Sequence, residues 1–309
     1  MTNAQLNLAV SIGSLSLQNP VMPASGAFGP EMKEAMDFNH LGALVPKSIT
    51  KYPQPGNATP RVCETYAGMI NSIGIQSKGL DYYLAHTLPA FAGYNVPLIS
   101  SISADSIEEF AEMSDILAKE STVSALELNI SCPNLKGDGH AFGMDPDVTY
   151  ELVSKVRQVT DKPIITKLTP NITSIQEIAI AAEKGGSDGL NVANTILAMA
   201  IDTETRTPKI GAGMGGLSGP AVKPIIVRMV YQAKQVTSIP IIGCGGISTA
   251  EDAIEMILAG ASAVQVGTAS FIEPLAMMHI LRGIEDYMER HQITDIRELV
   301  GAVRFPAGL

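Results

Sequence analysis

Three features are absent from this 309-residue chain, and each absence excludes a class of site or partner. Its only cysteines, Cys63, Cys132 and Cys244, are far apart and without paired spacing, which argues against a disulfide framework and a zinc site. It has no basic run, and its net charge of −10 repels polyanions, so we expect no nucleic-acid partner and no membrane partner. No stretch approaches the ~18 apolar residues that span a bilayer, and no secretory leader pattern begins the chain, so we expect a cytoplasmic protein.

What the chain does have is a repeated pattern of short runs rich in Val, Ile and Leu, each followed by small or polar residues and a helical period. Runs that are apolar on successive residues are typical of parallel strands buried on both faces. There are eight such runs, at residues 20–24, 43–47, 97–102, 125–130, 163–168, 189–193, 240–244 and 263–267. We predict an α/β fold, a single-domain (β/α)8 TIM barrel over residues 1–309, with a doubly wound open sheet as the alternative.

Helix signals lie between these runs. Apolar residues recur about every third position from Ile107 to Leu117. Capping-box spacing occurs three times, and glycines stand where helices would stop before the next strand. The capping pairs are Ser106 with Glu109, Ser174 with Glu177, and Ser248 with Glu251, and the stops are Gly185–Gly186 and Gly260.

Ligands bind at the C-terminal ends of the strands in such a barrel, so the residues after each run are the candidate site. The residues at or just after the end of each run are unusually polar: Ser25, Lys47, Ser48, Ser101, Asn129, Cys132, Lys167, Asn194, Thr195, Gly245, Gly246, Gly267 and Thr268. Two long connections, residues 47–97 and 194–240, are expected to form a lid or a substrate pocket at this end.

The chemistry of these positions leaves several readings open. The glycine turns after the seventh and eighth runs suit a phosphate held on backbone N–H groups. Lys47 and Lys167 suit either a Schiff-base aldolase or a cation beside an electron-rich cofactor. Cys132, on a loop outside its apolar run, can act as base or nucleophile, whereas Cys244 lies within a run and suits packing. No histidine ends a run, so we assign no histidine base.

Taken together, the strand-end motifs resemble the class 1 dihydroorotate dehydrogenases, FMN enzymes of pyrimidine synthesis. The resemblance covers nearly the whole chain. It is carried by residues 23–26, 47–48, 71–75, 129–134, 167–170, 215–220, 243–247 and 266–268.

The resemblance implies roles for individual residues. Cys132 would remove the C5 proton of dihydroorotate, and a hydride would leave C6 for the flavin. The implied orotate contacts are Lys47, Asn71, Ser72, Ile73, Gly74, Ile75, Asn129, Asn194 and Thr195. The implied FMN contacts are Ser25, Lys47, Ser48, Ser101, Asn129, Lys167, Ala193, Gly219, Gly245, Gly246, Gly267 and Thr268, with no metal.

The loop at residues 73–76 resembles the NAD-linked subclass 1B, because Gln76 stands where the fumarate-linked subclass 1A has proline. That implies a homodimer assembled into a heterotetramer with an iron-sulfur flavoprotein subunit that carries FAD and a 2Fe-2S cluster. Two residues depart from the family pattern: Ser101 and Ser77 each replace a usual asparagine. The alternatives are a 1A-type homodimer and a flavin-binding subunit that only transfers electrons.

Overall fold

The computed structural model describes residues 6–131 and 142–306. Its strands are short and lie mostly at the positions of the apolar runs or within the two long connections. In chain order they are β1 (Val10–Ile12), β2 (Leu15–Leu17), β3 (Val21–Pro23), β4 (Val62–Thr65), β5 (Gly68–Asn71), β6 (Leu98–Ile102), β7 (Val123–Asn129), β8 (Ile164–Lys167), β9 (Gly189–Val192), β10 (Ile196–Ala198), β11 (Ile201–Asp202), β12 (Thr207–Pro208), β13 (Gly215–Ser218), β14 (Ile241–Cys244) and β15 (Ala263–Val266).

Seven of these strands form one parallel sheet in the order β3-β15-β14-β9-β8-β7-β6. The remaining apolar run, residues 43–47, forms no regular strand, and the sheet closes there through an isolated bridge of Leu44 with Leu98 and through backbone hydrogen bonds. Gly42 N donates to Val21 O at one edge, and Leu44 N donates to Pro97 O at the other, both at 2.8 Å. Residues 42–44 therefore join the two edge strands, β3 and β6, and the sheet closes into a barrel, which confirms the predicted fold and excludes the doubly wound order.

Helices cover the outside of the barrel. They are α1 (Leu80–Tyr82), α2 (Leu88–Phe91), α3 (Ile107–Ala118), α4 (Pro146–Arg157), α5 (Ile175–Lys184), α6 (Lys223–Lys234), α7 (Ala250–Ala259), α8 (Ala269–Ile272) and α9 (Ala276–His291). The apolar period is confirmed in α3, where Phe110, Met113 and Leu117 are fully buried. In the part of the chain described, no helix is long and apolar enough to cross a membrane.

The helix caps agree only in part with the sequence pattern. Ser106 accepts from Glu109 N as predicted, and α5 and α7 end at Gly185 and Gly260. The prediction for Ser174 is wrong in detail, because its side chain makes no capping bond although α5 begins at the next residue. The Ser248 cap is also wrong: Thr249 caps α7, with Asp252 completing the box.

The two long connections pair with each other above the barrel. A four-stranded antiparallel sheet of order β10-β13-β5-β4 takes two strands from residues 47–97 and two from residues 194–240. The register places Asn71 opposite Gly216 in this sheet. Two segments 145 residues apart thus meet where the barrel strands end, which agrees with the expected lid or pocket.

Candidate active site

Amide and hydroxyl groups from separate loops converge at the C-terminal ends of the barrel strands, which we call the barrel mouth. Asn194 Nδ2 donates to Asn129 Oδ1 at 3.2 Å, and Asn194 Oδ1 accepts from Thr195 N at 2.8 Å. Asn71 Nδ2 donates to Gly216 O at 3.3 Å, and the Thr195 side chain packs against Gly216. Four predicted substrate residues from three segments of the chain therefore lie close together at the mouth.

Asn57 makes hydrogen bonds to the loop formed by residues 72–75. Asn57 Nδ2 donates to Ser72 Oγ at 2.7 Å, and Asn57 N donates to Ile73 O at 3.0 Å. Ile75 has a φ of 45°, a conformation unusual for a β-branched residue. Such a backbone persists only where surrounding contacts enforce it, so this loop has a defined shape.

The predicted serine contacts form a chain of hydroxyl groups. Ser48 Oγ lies 2.8 Å from Ser101 Oγ and 3.4 Å from Ser25 Oγ. Lys47 reaches the same region, since a Cβ on Gly26 would lie 3.5 Å from its ammonium nitrogen. Lys47, Ser25, Ser48 and Ser101 are thus close to one another at one side of the mouth.

Lys167 is buried beneath the mouth, with only 4% of its surface exposed. Its Nζ donates to Gln265 Oε1 at 3.3 Å and lies 3.9 Å from Glu127 Oε1. Burial lowers the pKa of this lysine, but Cys244 and Glu127 outweigh that effect and hold it above its ordinary value. A Schiff-base lysine needs a lowered pKa, so this environment argues against the aldolase reading.

Sequence reasoning missed a set of fully buried polar side chains inside the barrel, which we call the polar layer. It consists of Glu127, Asn191 and Gln265, all 0% exposed. Asn191 Nδ2 and Gln265 Nε2 donate to Glu127 Oε2 at 2.7 and 2.8 Å. The sequence signal that could have revealed these residues is a charged or amide residue inside an otherwise apolar run.

Glycine turns follow β14 and β15. In the turn after β14, formed by Gly245 and Gly246, a side chain would not fit. Gly245 and Gly246 have φ values of 138° and 76°. A Cβ on Gly246 would lie 2.7 Å from Lys223 N, and one on Gly245 would lie 2.9 Å from Ile226 Cγ1. This turn therefore needs glycine to pack against the start of α6, and glycine allows its backbone to come close to a ligand oxygen.

The remaining predicted cofactor residues border the same turns. Thr268 Oγ1 donates to Ser218 Oγ at 2.8 Å, and Gly219 follows directly with a φ of 100°. A Cβ on Gly267 would meet only Ala24, at 3.5 Å. Ala193 N donates to Cys244 O at 2.9 Å, so Ala193 lies beside the end of β14.

The predicted base, Cys132, lies outside the described residues, as do Pro133 and Asn134. The residue before it is anchored at the mouth: Ser131 N donates to Asn129 Oδ1, and Ser131 Oγ donates to Lys167 O, both at 3.4 Å. The other cysteines have different surroundings. Cys244 is buried, which raises the pKa of its thiol although Lys167 lowers it, and Cys63 is half-buried in β4.

Comparison with known proteins identifies the family. The family model described as dihydroorotate dehydrogenase matches residues 7–288. The chain belongs to the dihydroorotate dehydrogenase family. A relative from Desulforamulus reducens is 50% identical over 300 residues, covering 96% of this chain and 99% of its own. One from Alkaliphilus metalliredigens is 47% identical over 301 residues, covering 97% and 99%.

Both dihydroorotate dehydrogenase relatives are named "Dihydroorotate dehydrogenase B (NAD(+)), catalytic subunit". A third relative with that name, from Porphyromonas gingivalis, is 46% identical over 297 residues, covering 95% of this chain and 97% of its own. The resemblance read from the strand-end motifs is therefore confirmed at the level of the family.

Proposed function

We propose that this chain is the catalytic subunit of an NAD-linked dihydroorotate dehydrogenase, which oxidises dihydroorotate to orotate in pyrimidine biosynthesis. The observation that carries the proposal is the convergence of Asn71, Asn129, Asn194 and Thr195 above the buried cation Lys167. Amide and hydroxyl groups in this arrangement suit a planar ring with alternating N–H and C=O edges. The names of the relatives support the same reaction.

We assign the flavin site to the predicted FMN residues. Two observations fit this group: the Gly245–Gly246 turn, where a Cβ would clash with α6, and a lysine kept cationic inside the barrel. Backbone at the turn suits a phosphate, and the ammonium of Lys167 suits the electron-rich end of the ring. Bound FMN supplies the two-electron acceptor for the oxidation.

The residues of the chain handle binding and the proton. Cys132 takes up the C5 proton of dihydroorotate as a thiolate base while the hydride leaves C6, and the products are orotate, a proton and a reduced acceptor. Lys47 and the amides of Asn71, Asn129 and Asn194 orient the substrate, together with Thr195 and the backbone of residues 72–75. The lid sheet of β10, β13, β5 and β4 helps exclude water.

We further propose that residues 1–309 form one cytoplasmic FMN-binding domain that assembles as a homodimer and, with a second subunit, as a heterotetramer. That partner would carry FAD and a 2Fe-2S cluster and pass electrons to NAD. The word "subunit" in the names of the relatives supports a separate partner.

The test uses the purified full chain under anaerobic conditions. We expect a yellow protein whose flavin absorbance bleaches on adding dihydroorotate, with orotate formed in equal amount. NAD reduction is expected only after the iron-sulfur flavoprotein is added, and fumarate is expected to be a poor acceptor. A colourless protein would contradict the proposal, flavin that dihydroorotate does not bleach would indicate a subunit that only transfers electrons, and rapid fumarate reduction without a partner would indicate the 1A type.

A glycine substitution tests the assignment of the phosphate turn. Gly246→Ala is expected to weaken FMN binding by about tenfold or more, equivalent to about 1.4 kcal/mol, because its Cβ would displace the turn from Lys223. Gly213→Ala is the matched control: Gly213 has a similar φ of 80°, but a Cβ there would have nothing within 4 Å. Flavin fluorescence titration measures both affinities, and equal affinities would contradict the assignment.

A further inference from the structure

Glu127 lies where a TIM barrel normally places an apolar side chain. The barrel interior is filled in layers contributed by alternate strands, usually with branched aliphatic residues. The polar layer follows this geometry, because β7, β9 and β15 alternate around the sheet, yet it contains a carboxylate and two amides. A fully buried carboxylate is strongly unfavourable unless its surroundings compensate for it, so this layer needs an explanation beyond packing.

The hydrogen bonds around Glu127 are those of an anion. Oε1 accepts from Ser101 Oγ at 3.0 Å, and Oε2 accepts from Asn191 Nδ2 and Gln265 Nε2. The orientation of Asn191 supplies a donor to Glu127 and leaves its own Oδ1 without a partner among the described residues. The layer thus stabilises negative charge at Glu127 while leaving one amide oxygen unsatisfied.

This negative charge faces the one buried lysine that we place beside the flavin. Lys167 Nζ lies 3.9 Å from Glu127 Oε1, too far for a direct hydrogen bond, and Gln265 bridges them. Gln265 Oε1 accepts from Lys167 while its Nε2 donates to Glu127. The ammonium is therefore held in place but is not fully neutralised by a contact ion pair.

Glu127 also orders the hydroxyl groups that lead to the mouth. Because Ser101 donates its only proton to Glu127, it must accept from Ser48 across their 2.8 Å contact. Ser48 then uses its only proton on Ser101, so it cannot also donate across its longer 3.4 Å contact with Ser25. One buried carboxylate therefore both faces Lys167 and sets the direction of the Ser48–Ser101 hydrogen bond.

We propose that Glu127 is a positioning residue that tunes the charge Lys167 presents to the flavin and so keeps the flavin's reduction potential lower than Lys167 alone would. The inference rests on the proposed function and deepens it. A lone cation in a water-excluded site strongly stabilises an anionic reduced cofactor, whereas a carboxylate 3.9 Å away offsets part of that effect. Electrons then pass on more readily to the next acceptor.

Glu127→Gln tests this directly, because it removes the charge while its amide oxygen can still accept from Asn191 and Gln265. In the FMN-loaded full chain at neutral pH, we expect reduced FMN to gain about tenfold in affinity relative to oxidised FMN. For a two-electron couple this is a potential about 30 mV more positive. Anaerobic titration against a redox dye of known potential measures it, independently of turnover.

Glu112→Gln is the matched control, because it removes the same charge from an exposed glutamate that pairs with Lys51. Its potential is expected to stay within the equivalent of twofold of wild type. Should Glu127→Gln fail to fold, Glu127→Asp takes its place, with an expected shift of the same sign and about threefold in relative affinity. In whichever variant folds, a potential that is unchanged or more negative would overturn the inference.

The two proposals fail differently in this experiment. Wild-type protein without FMN would overturn the proposed function and this inference with it. Wild-type protein whose flavin is bleached by dihydroorotate, together with a Glu127→Gln potential equal to that of Glu112→Gln, would overturn this inference alone.

Discussion

Cys132→Ala is expected to reduce dihydroorotate turnover by about 10²- to 10⁴-fold while FMN stays bound, because a positioned general base contributes a factor of that size. The preceding residue, Ser131, contacts Asn129 and the backbone of Lys167, so it lies beside predicted site residues. Alanine removes the thiol and no proposed flavin contact. Orotate formation and flavin absorbance, followed anaerobically in the same sample, separate catalysis from cofactor binding.

Cys63→Ala is the control for the loss of a thiol, since Cys63 lies half-buried in β4 and has no assigned role. We expect its turnover to stay within twofold of wild type. Unchanged turnover in Cys132→Ala would refute the base assignment. Loss of flavin from that variant would instead indicate that Cys132 maintains the cofactor site.

Lys167→Met is expected to lower the free energy of unfolding by about 3–5 kcal/mol and to weaken FMN binding strongly. The stability loss follows because Glu127 remains buried without its cation, and breaking a buried pair from one side has that cost. The flavin loss follows because Lys167 is the cation that we assign to the electron-rich end of the flavin. Urea denaturation of the apoprotein and flavin fluorescence titration measure the two effects separately.

The double variant Glu127→Gln/Lys167→Met separates these causes. Removing both charges is expected to restore most of the stability but not the affinity for FMN. Lys119→Met, at an exposed lysine paired with Asp115, is expected to change stability by no more than about 0.5 kcal/mol. A Lys167→Met variant as stable as Lys119→Met, or one with wild-type FMN affinity, would contradict the role assigned to Lys167.

Much of the fold could be predicted because parallel barrel strands are buried on both faces, and such burial produces continuous apolar runs. Seven of the eight runs coincide with or overlap strands of the barrel sheet, and the other, at residues 43–47, supplies the Leu44 bridge to β6. Cap positions were predicted less well. Ser248 and Thr249 are adjacent residues of similar capping chemistry, and only the path of the turn makes Thr249 the cap of α7.

The site residues at the ends of the barrel strands were predicted, because the order of the strands places them at the mouth. The residues that contact one another across the inside of the barrel were missed. Asn129, Lys167 and Asn194 each lie at or just after the C-terminal end of a run, so the fold alone brings them to the mouth. Glu127 and Gln265 interrupt apolar runs 138 residues apart, and no local pattern shows that they share a hydrogen bond. The pairing of β5 with β13, which brings Asn71 to Gly216, could not be predicted from the sequence for the same reason.

The sequence by itself determined the barrel and the residue types at the strand ends, because both depend on local pattern, and the resemblance of the strand-end motifs to a known family indicated the family. The tertiary structure decided which of those residues are in contact. It therefore also decided how much of the positive charge of Lys167 is offset by its neighbours. That charge depends on Glu127 and Gln265 from distant strands, since electrostatic and hydrogen-bond energies depend on distances in space between groups. A lysine at a strand end could serve several chemistries. The buried carboxylate of Glu127, 3.9 Å from Lys167 Nζ, partly offsets the positive charge of this lysine.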